Sequence, residues 1–155
     1  MTRAQRQALR ERFRFSCGYC GVSEASVGSE LTVDHFQPTT AGGTDDAQNW
    51  VYACHACNSF KSQWWAPTPT QRVLHPLRDL LNQHFQVRQD GALEALTEQG
   101  LFHIELLHLN RAELVAHRLL QRQIAEDRER VLHLEDEARK LAARLDALER
   151  ALREP

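Results

Sequence analysis

Residues 17–61 read CGYCGVSEASVGSELTVDHFQPTTAGGTDDAQNWVYACHACNSFK. Two Cys-x-x-Cys knuckles, Cys17/Cys20 and Cys54/Cys57, stand 33 residues apart and bracket Asp34-His35 and Asn49, with Asn58 directly after the second. Four thiolates fill the tetrahedral shell of a structural zinc, and a closed shell has no open position for a reacting water. Any chemistry therefore belongs to the residues between and just after the knuckles. No cysteine is left over from the two pairs, a usage that fits a reducing, cytoplasmic setting.

Reading outward, Leu31-Thr32-Val33 predicts a strand ending at Asp34-His35, Pro38 and Gly42-Gly43-Thr44-Asp45-Asp46 a loop, and Trp50-Val51-Tyr52 a second strand. His55 to about Gln63 suits a helix stopped by Pro67 and Pro69. Hydrolysis of a phosphodiester requires an activated water and a cation where negative charge develops. Asp34 offers a hard oxygen ligand, His35 an imidazole suited to general-base work, and Asn58 an uncharged amide oxygen. Adjacent strand residues point to opposite faces, so Asp34 and His35 are expected to share a site only where the strand ends or bends.

The order Cys-x-x-Cys, Asp-His, Pro, Gly-Gly, Asn, Cys-x-x-Cys-Asn-x-x-Lys resembles the HNH endonuclease family, whose fold is a metal finger of two strands and a helix. The resemblance covers residues 17–61. It implies that His35 activates water, that Asp34 and Asn58 hold one catalytic divalent ion, and that Asn49 fixes the loop orienting His35. Cys17, Cys20, Cys54 and Cys57 would hold a separate zinc. Asn58 stands where the family's name implies a histidine, a common replacement that favours Mg²⁺, Mn²⁺ or another oxygen-seeking divalent cation. Taken singly, Asn58 also reads as a helix cap, Lys61 as either a phosphate contact or a solvated lysine, and Trp64 and Trp65 as packing rather than base stacking. His55 reads as structural or substrate-facing, because the thiolates already fill the zinc shell.

Across its 155 residues the chain carries a formal charge of −2, which argues against non-specific coating of nucleic acid. The basic exception is the start, where Arg3, Arg6, Arg10, Arg12 and Arg14 face only Glu11. Thr2 and Gln5 predict a capping box for a helix over Arg3 to about Arg12 that presents Arg3, Arg6 and Arg10 to nucleic acid. No apolar run reaches membrane-spanning length, so no membrane association is expected.

Beyond the finger, Phe85–Arg88 and Ala92–Leu96 flank an Asp90-Gly91 hairpin turn, and a short helix is predicted around Leu101 to Leu107. Asn110 and Glu113 then start a helix with no Gly or Pro through Glu154. Ile124, Val131, Ala138, Leu145 and Leu152, with Leu120, Leu134, Leu141 and Leu148, form heptads interrupted by Asp127. This seam predicts a coiled-coil homodimer, against the alternative of a helix lying on its own domain.

The expected class is α+β: a ββα-metal finger with structural zinc over 1–65, a small mixed extension over 66–110 and a long helix over 111–155. The expected function is metal-dependent endonuclease action on nucleic acid, DNA ahead of RNA. The rival is a catalytically silent zinc module that binds nucleic acid or protein.

Overall fold

Helix α1 (Arg3–Arg12) starts with the reciprocal cap anticipated from Thr2 and Gln5: the Thr2 hydroxyl accepts from Gln5 N, and the Gln5 side chain accepts from Thr2 N. Leu9 is its buried anchor. A short helix α2 (Glu24–Val27), absent from the sequence expectations, is capped by Ser23 and ends on Gly28 at φ 76°. Strands β1 (Thr32–His35) and β2 (Trp50–Ala53) pair antiparallel, with Thr32 opposite Ala53 and His35 opposite Trp50. Helix α3 (His55–Lys61) begins on Cys54, completing the strand, loop, strand, helix order. The computed structural model describes residues 1–66 and 68–153; Pro67 and Glu154, used above as limits of helices, lie outside them.

After the finger, β3 (Phe85–Val87) and β4 (Leu93–Ala95) form the hairpin expected around Asp90-Gly91. Helix α4 (Glu98–Leu106) starts three residues before the predicted position, because the Thr97 hydroxyl accepts from Gly100 N and caps it. Gly100 is needed there, since a Cβ would overlap the His84 carbonyl. Asn110 exchanges two hydrogen bonds with the Leu93 backbone, tying the end of this segment to the hairpin.

The chain divides into two compact units, Met1–His117 and Arg118–Pro155. In the first, all four residues of β2 are buried, and Tyr52, Val51 and Ala53 lie in one core with Tyr19, Leu31, Val73, Ile104, Leu107 and Leu109. Residues 66–110 thus share a core with the finger instead of building their own, because the hairpin and α4 together offer too little apolar surface for independent burial. Helix α5 (Ala112–Arg153) is 42 residues long; Leu114 near its start is buried. In the second unit Ile124, Val131, Leu134, Leu141, Leu145 and Leu148 are each at least half exposed. Among the described residues no helix is long and apolar enough to cross a membrane.

Candidate active site and metal centre

The first knuckle is a tight turn in which Gly21 N bonds to Cys17 O and Cys17 N to Val22 O, aiming both thiols inward. The second begins at Cys54, the N-cap of α3, whose sulfur accepts from Cys57 N at 3.5 Å. A helix N-terminus favours negative charge, so this placement suits thiolates. The four sulfurs lie within 4.8 Å of one another, and Cys20 Sγ and Cys54 Sγ are 3.7 Å apart. Bonds of ~2.3 Å to a central zinc require sulfur separations of about 3.8 Å, so the donor set fits that ion. All four cysteines are free thiols. From outside the finger, Arg111 points Nη2 at Cys57 Sγ (4.0 Å) while its guanidinium lies over the Phe60 ring.

Beside this centre is a polar cavity of about 320 Å³ lined by Asp34, His35, Pro38, Thr39, Asn58, Ser59, Ser62 and Gln63, among others. Asp34 and His35 both belong to the β1 ladder, paired with Val51 and Trp50, so the expected break at the pair comes only after His35. The two side chains therefore diverge. Asp34, 5% exposed, accepts from Tyr19 Oη at 2.6 Å and from Lys61 Nζ at 2.9 Å, on different oxygens. His35 stays accessible, and its Nε2 lies 2.9 Å from Asp45 Oδ1. Both nevertheless border the cavity, because it opens at the end of the strand.

Burial pushes the Asp34 carboxyl up and the Lys61 ammonium down, while their mutual attraction opposes both shifts. Burial, reinforced by the Asp34 charge, raises Tyr19 well above its ordinary value, keeping it protonated and a donor. An ionised carboxylate has about four lone-pair positions, so Tyr19 and Lys61 occupy only part of its acceptor capacity. Asn58 is half-buried, and its side-chain amide has no hydrogen-bond partner among the described residues. Asp34 and Asn58 both line the cavity, and the oxygen donors they offer are of the type a hard divalent cation takes.

Asn49 is absent from the cavity wall and works through the backbone: Oδ1 accepts from Gln37 N, and Nδ2 donates to Gln37 O and Thr44 O. It clamps both ends of the loop that follows β1. Gly43 completes the closure, since a Cβ there would overlap the Gln37 carbonyl.

Residues 17–63 match the HNH endonuclease family model. The HNH segment contains both knuckles, the β1–β2 ladder, α3 and the cavity. No curated protein and no solved structure matches the chain.

One nucleic-acid contact expected from sequence, Lys61, requires correction. Lys61 is 1% exposed and donates to Asp34 and to the His35 carbonyl, so its ammonium braces the HNH segment internally and faces no phosphate. Arg10 forms a two-pronged pair with Glu24 and a further contact to Glu30. Arg6 donates to Glu30 and to Leu31 O, so both arginines fasten α1 to the finger while staying partly exposed. Arg3 remains exposed at the start of α1. Trp64 packs at 5.5 Å from the Phe102 ring, Trp65 meets Phe36 edge-on, and His55 is exposed.

Sequence reading passed over Tyr19, Asp45 and Arg111. Tyr19 sits inside a knuckle and Asp45 inside a stretch read only as a turn, and Arg111 meets Cys57 across 54 positions.

Proposed function

We propose that the HNH segment hydrolyses phosphodiester bonds of nucleic acid, with DNA the favoured substrate. The observation that carries this reading is the convergence of His35, Asp34 and the unpartnered Asn58 on one polar cavity beside a separate four-thiol centre. His35 takes the proton of a water that attacks phosphorus, and an ester oxygen leaves. Asp34 and Asn58 would hold a divalent cation, which when bound stabilises the charge gathering on the phosphate oxygens. Lys61 and Tyr19 keep the Asp34 carboxylate in a fixed orientation. Asn49 holds the loop that carries His35 at its root.

A second copy of the chain is the proposed partner of α5, whose apolar heptads would cover one another in a parallel pair and bring two sites to one duplex. The proposed setting is a reducing one such as the cytoplasm, a reading supported by cysteines that all fall in two metal-type knuckles.

The silent zinc module remains the rival, and one observation favours it: Asp34 is already bonded on both oxygens within the protein. Incubating plasmid DNA with Mg²⁺, Mn²⁺ or no divalent ion, beside the His35→Ala protein, decides between the two. Metal-dependent cutting lost in the variant supports the nuclease. Equal residual cutting by both proteins would remove it.

A further inference from the structure

The loop between β1 and β2 contains a carboxylate with a fixed relation to the proposed base. Asp45 Oδ1 lies 2.9 Å from His35 Nε2 and 2.8 Å from Trp50 Nε1. An indole nitrogen can only donate, so Oδ1 is an acceptor at this point. The two hydrogen bonds, the one to His35 foremost, also hold the Asp45 carboxyl below the usual carboxylate range, so it is ionised near neutral pH. An ionised carboxylate offers no proton to the imidazole. The 2.9 Å contact therefore requires the hydrogen to be on His35 Nε2. Neutral His35 then carries its lone pair on Nδ1, which has no hydrogen-bond partner among the described residues.

The support for this carboxylate is unusually well defined for an exposed loop. Trp50 is 3% exposed and lies directly across the ladder from His35, so its indole is a rigid post. Asn49 bonds to Thr44 O, one residue before Asp45, and Asn49 N bonds to Asp46 O, one residue after. Asp45 is thus held from both sides and by its own side chain, while lying outside the cavity wall.

We propose that Asp45 is the positioning residue of this site: its carboxylate fixes the His35 ring with the proton on Nε2 and leaves Nδ1 as the nitrogen that accepts the proton of the attacking water. The inference rests on His35 being the base of the proposed hydrolysis. During the step, the water proton moves to Nδ1, the water oxygen bonds to phosphorus, and the ester oxygen departs with the electron pair of the broken bond. Asp45 takes no proton and offsets the imidazolium that forms, the role a carboxylate plays behind other catalytic histidines.

The variants Asp45→Asn and Asp45→Ala separate position from charge. Asparagine keeps an oxygen facing the Trp50 and His35 donors and loses only the charge; alanine loses both. With plasmid DNA and Mg²⁺, kcat should fall about tenfold or more in Asp45→Ala, within the ~10²–10⁴ that a general base supplies. KM should change little, and Asp45→Asn should recover a substantial part of the loss. Long-range ¹H–¹⁵N spectra of the zinc-loaded wild type near pH 8 should show the His35 proton on Nε2. A proton on Nδ1 overturns the inference whether or not DNA is cut. So does an Asp45→Ala protein with unchanged kcat, or one in which Asn and Ala are equally impaired. A wild type with the expected spectrum that cuts no nucleic acid with any divalent ion removes the nuclease reading and, with it, the catalytic role assigned to Asp45.

Discussion

Lys61 and Asp34 form an ion pair at 2.9 Å with both side chains almost fully buried, joining the last residue of α3 to the third residue of β1. A buried pair contributes little compared with an apolar replacement of both partners, yet removal of one partner strands the other charge. Lys61→Met should therefore destabilise the first unit by roughly 3–5 kcal/mol. Denaturant unfolding of the zinc-loaded protein measures this; a loss below about 1 kcal/mol, typical of an exposed lysine, would show that the pair is not closed in solution.

The thiol centre should hold one zinc per chain. Cys57 is fully buried and its N–H caps onto Cys54, so Cys57→Ser replaces a ligand that the surroundings cannot supply. The variant should lose cooperative folding, because metal binding in small zinc modules is coupled to folding. Metal analysis together with circular dichroism tests this, and folded wild-type protein free of zinc would contradict it.

His35→Ala should lower cleavage by about 10² or more while leaving the fold and nucleic-acid affinity intact. Asn58→Ala should instead raise the divalent-ion concentration needed for half-maximal activity. Initial rates across a Mg²⁺ titration distinguish the two; an identical metal dependence in Asn58→Ala would argue against its amide as a ligand.

Acid should weaken the first unit through two histidines. Burial lowers both His75 and His103 from 6.5 to about 4, and each accepts a backbone N–H on Nδ1. Their folded values lie below the unfolded ones, so the neutral-state stability is complete above about 6.5 and is lost as pH falls towards 4. In His75→Asn the fall in unfolding midpoint between pH 7 and 5 should be shallower than in wild type. Parallel slopes would mean that His75 does not stay neutral in the fold.

The exposed stripe from Ile124 to Leu148 on α5 should associate two copies, since burying apolar surface yields roughly 25 cal/mol per Å². Light scattering at micromolar concentration should give a dimer, and deletion from Ile124 onward a zinc-loaded monomer that nicks more than it cuts both strands. A monomeric full-length protein would rule out this assembly.

The elements nearest to local rules were legible in the sequence. The Thr2–Gln5 cap, the Asp90-Gly91 hairpin and the two knuckles depend on neighbours a few residues away, and each is in place. The surroundings of Asp34 and His35 were less legible, because alternation along β1 sends them apart and their partners come from other elements. Tyr19 reaches Asp34 from 15 positions away and Lys61 from 27. Nothing in the run Asn58-Ser59-Phe60-Lys61 distinguishes a lysine folded inward from one in water until β1 is set beneath it. The same long-range pairing with Glu24 and Glu30, which fastens Arg6 and Arg10 to the finger, was equally hidden from a local reading.

Arg111 gives the metal centre a reach beyond the finger. Its guanidinium meets Cys57 Sγ and also donates to the carbonyls of Leu107 and His108, in the turn that leads into α5. The sulfur-rich centre is thereby the counter-charge of that turn. Chelation would leave a half-buried cation without its anionic neighbour, and the root of the long helix would register the loss as directly as the knuckles do. The state of the four thiols is thus coupled through Arg111 to the turn where α5 begins, and a change at the knuckles reaches residues more than fifty positions away.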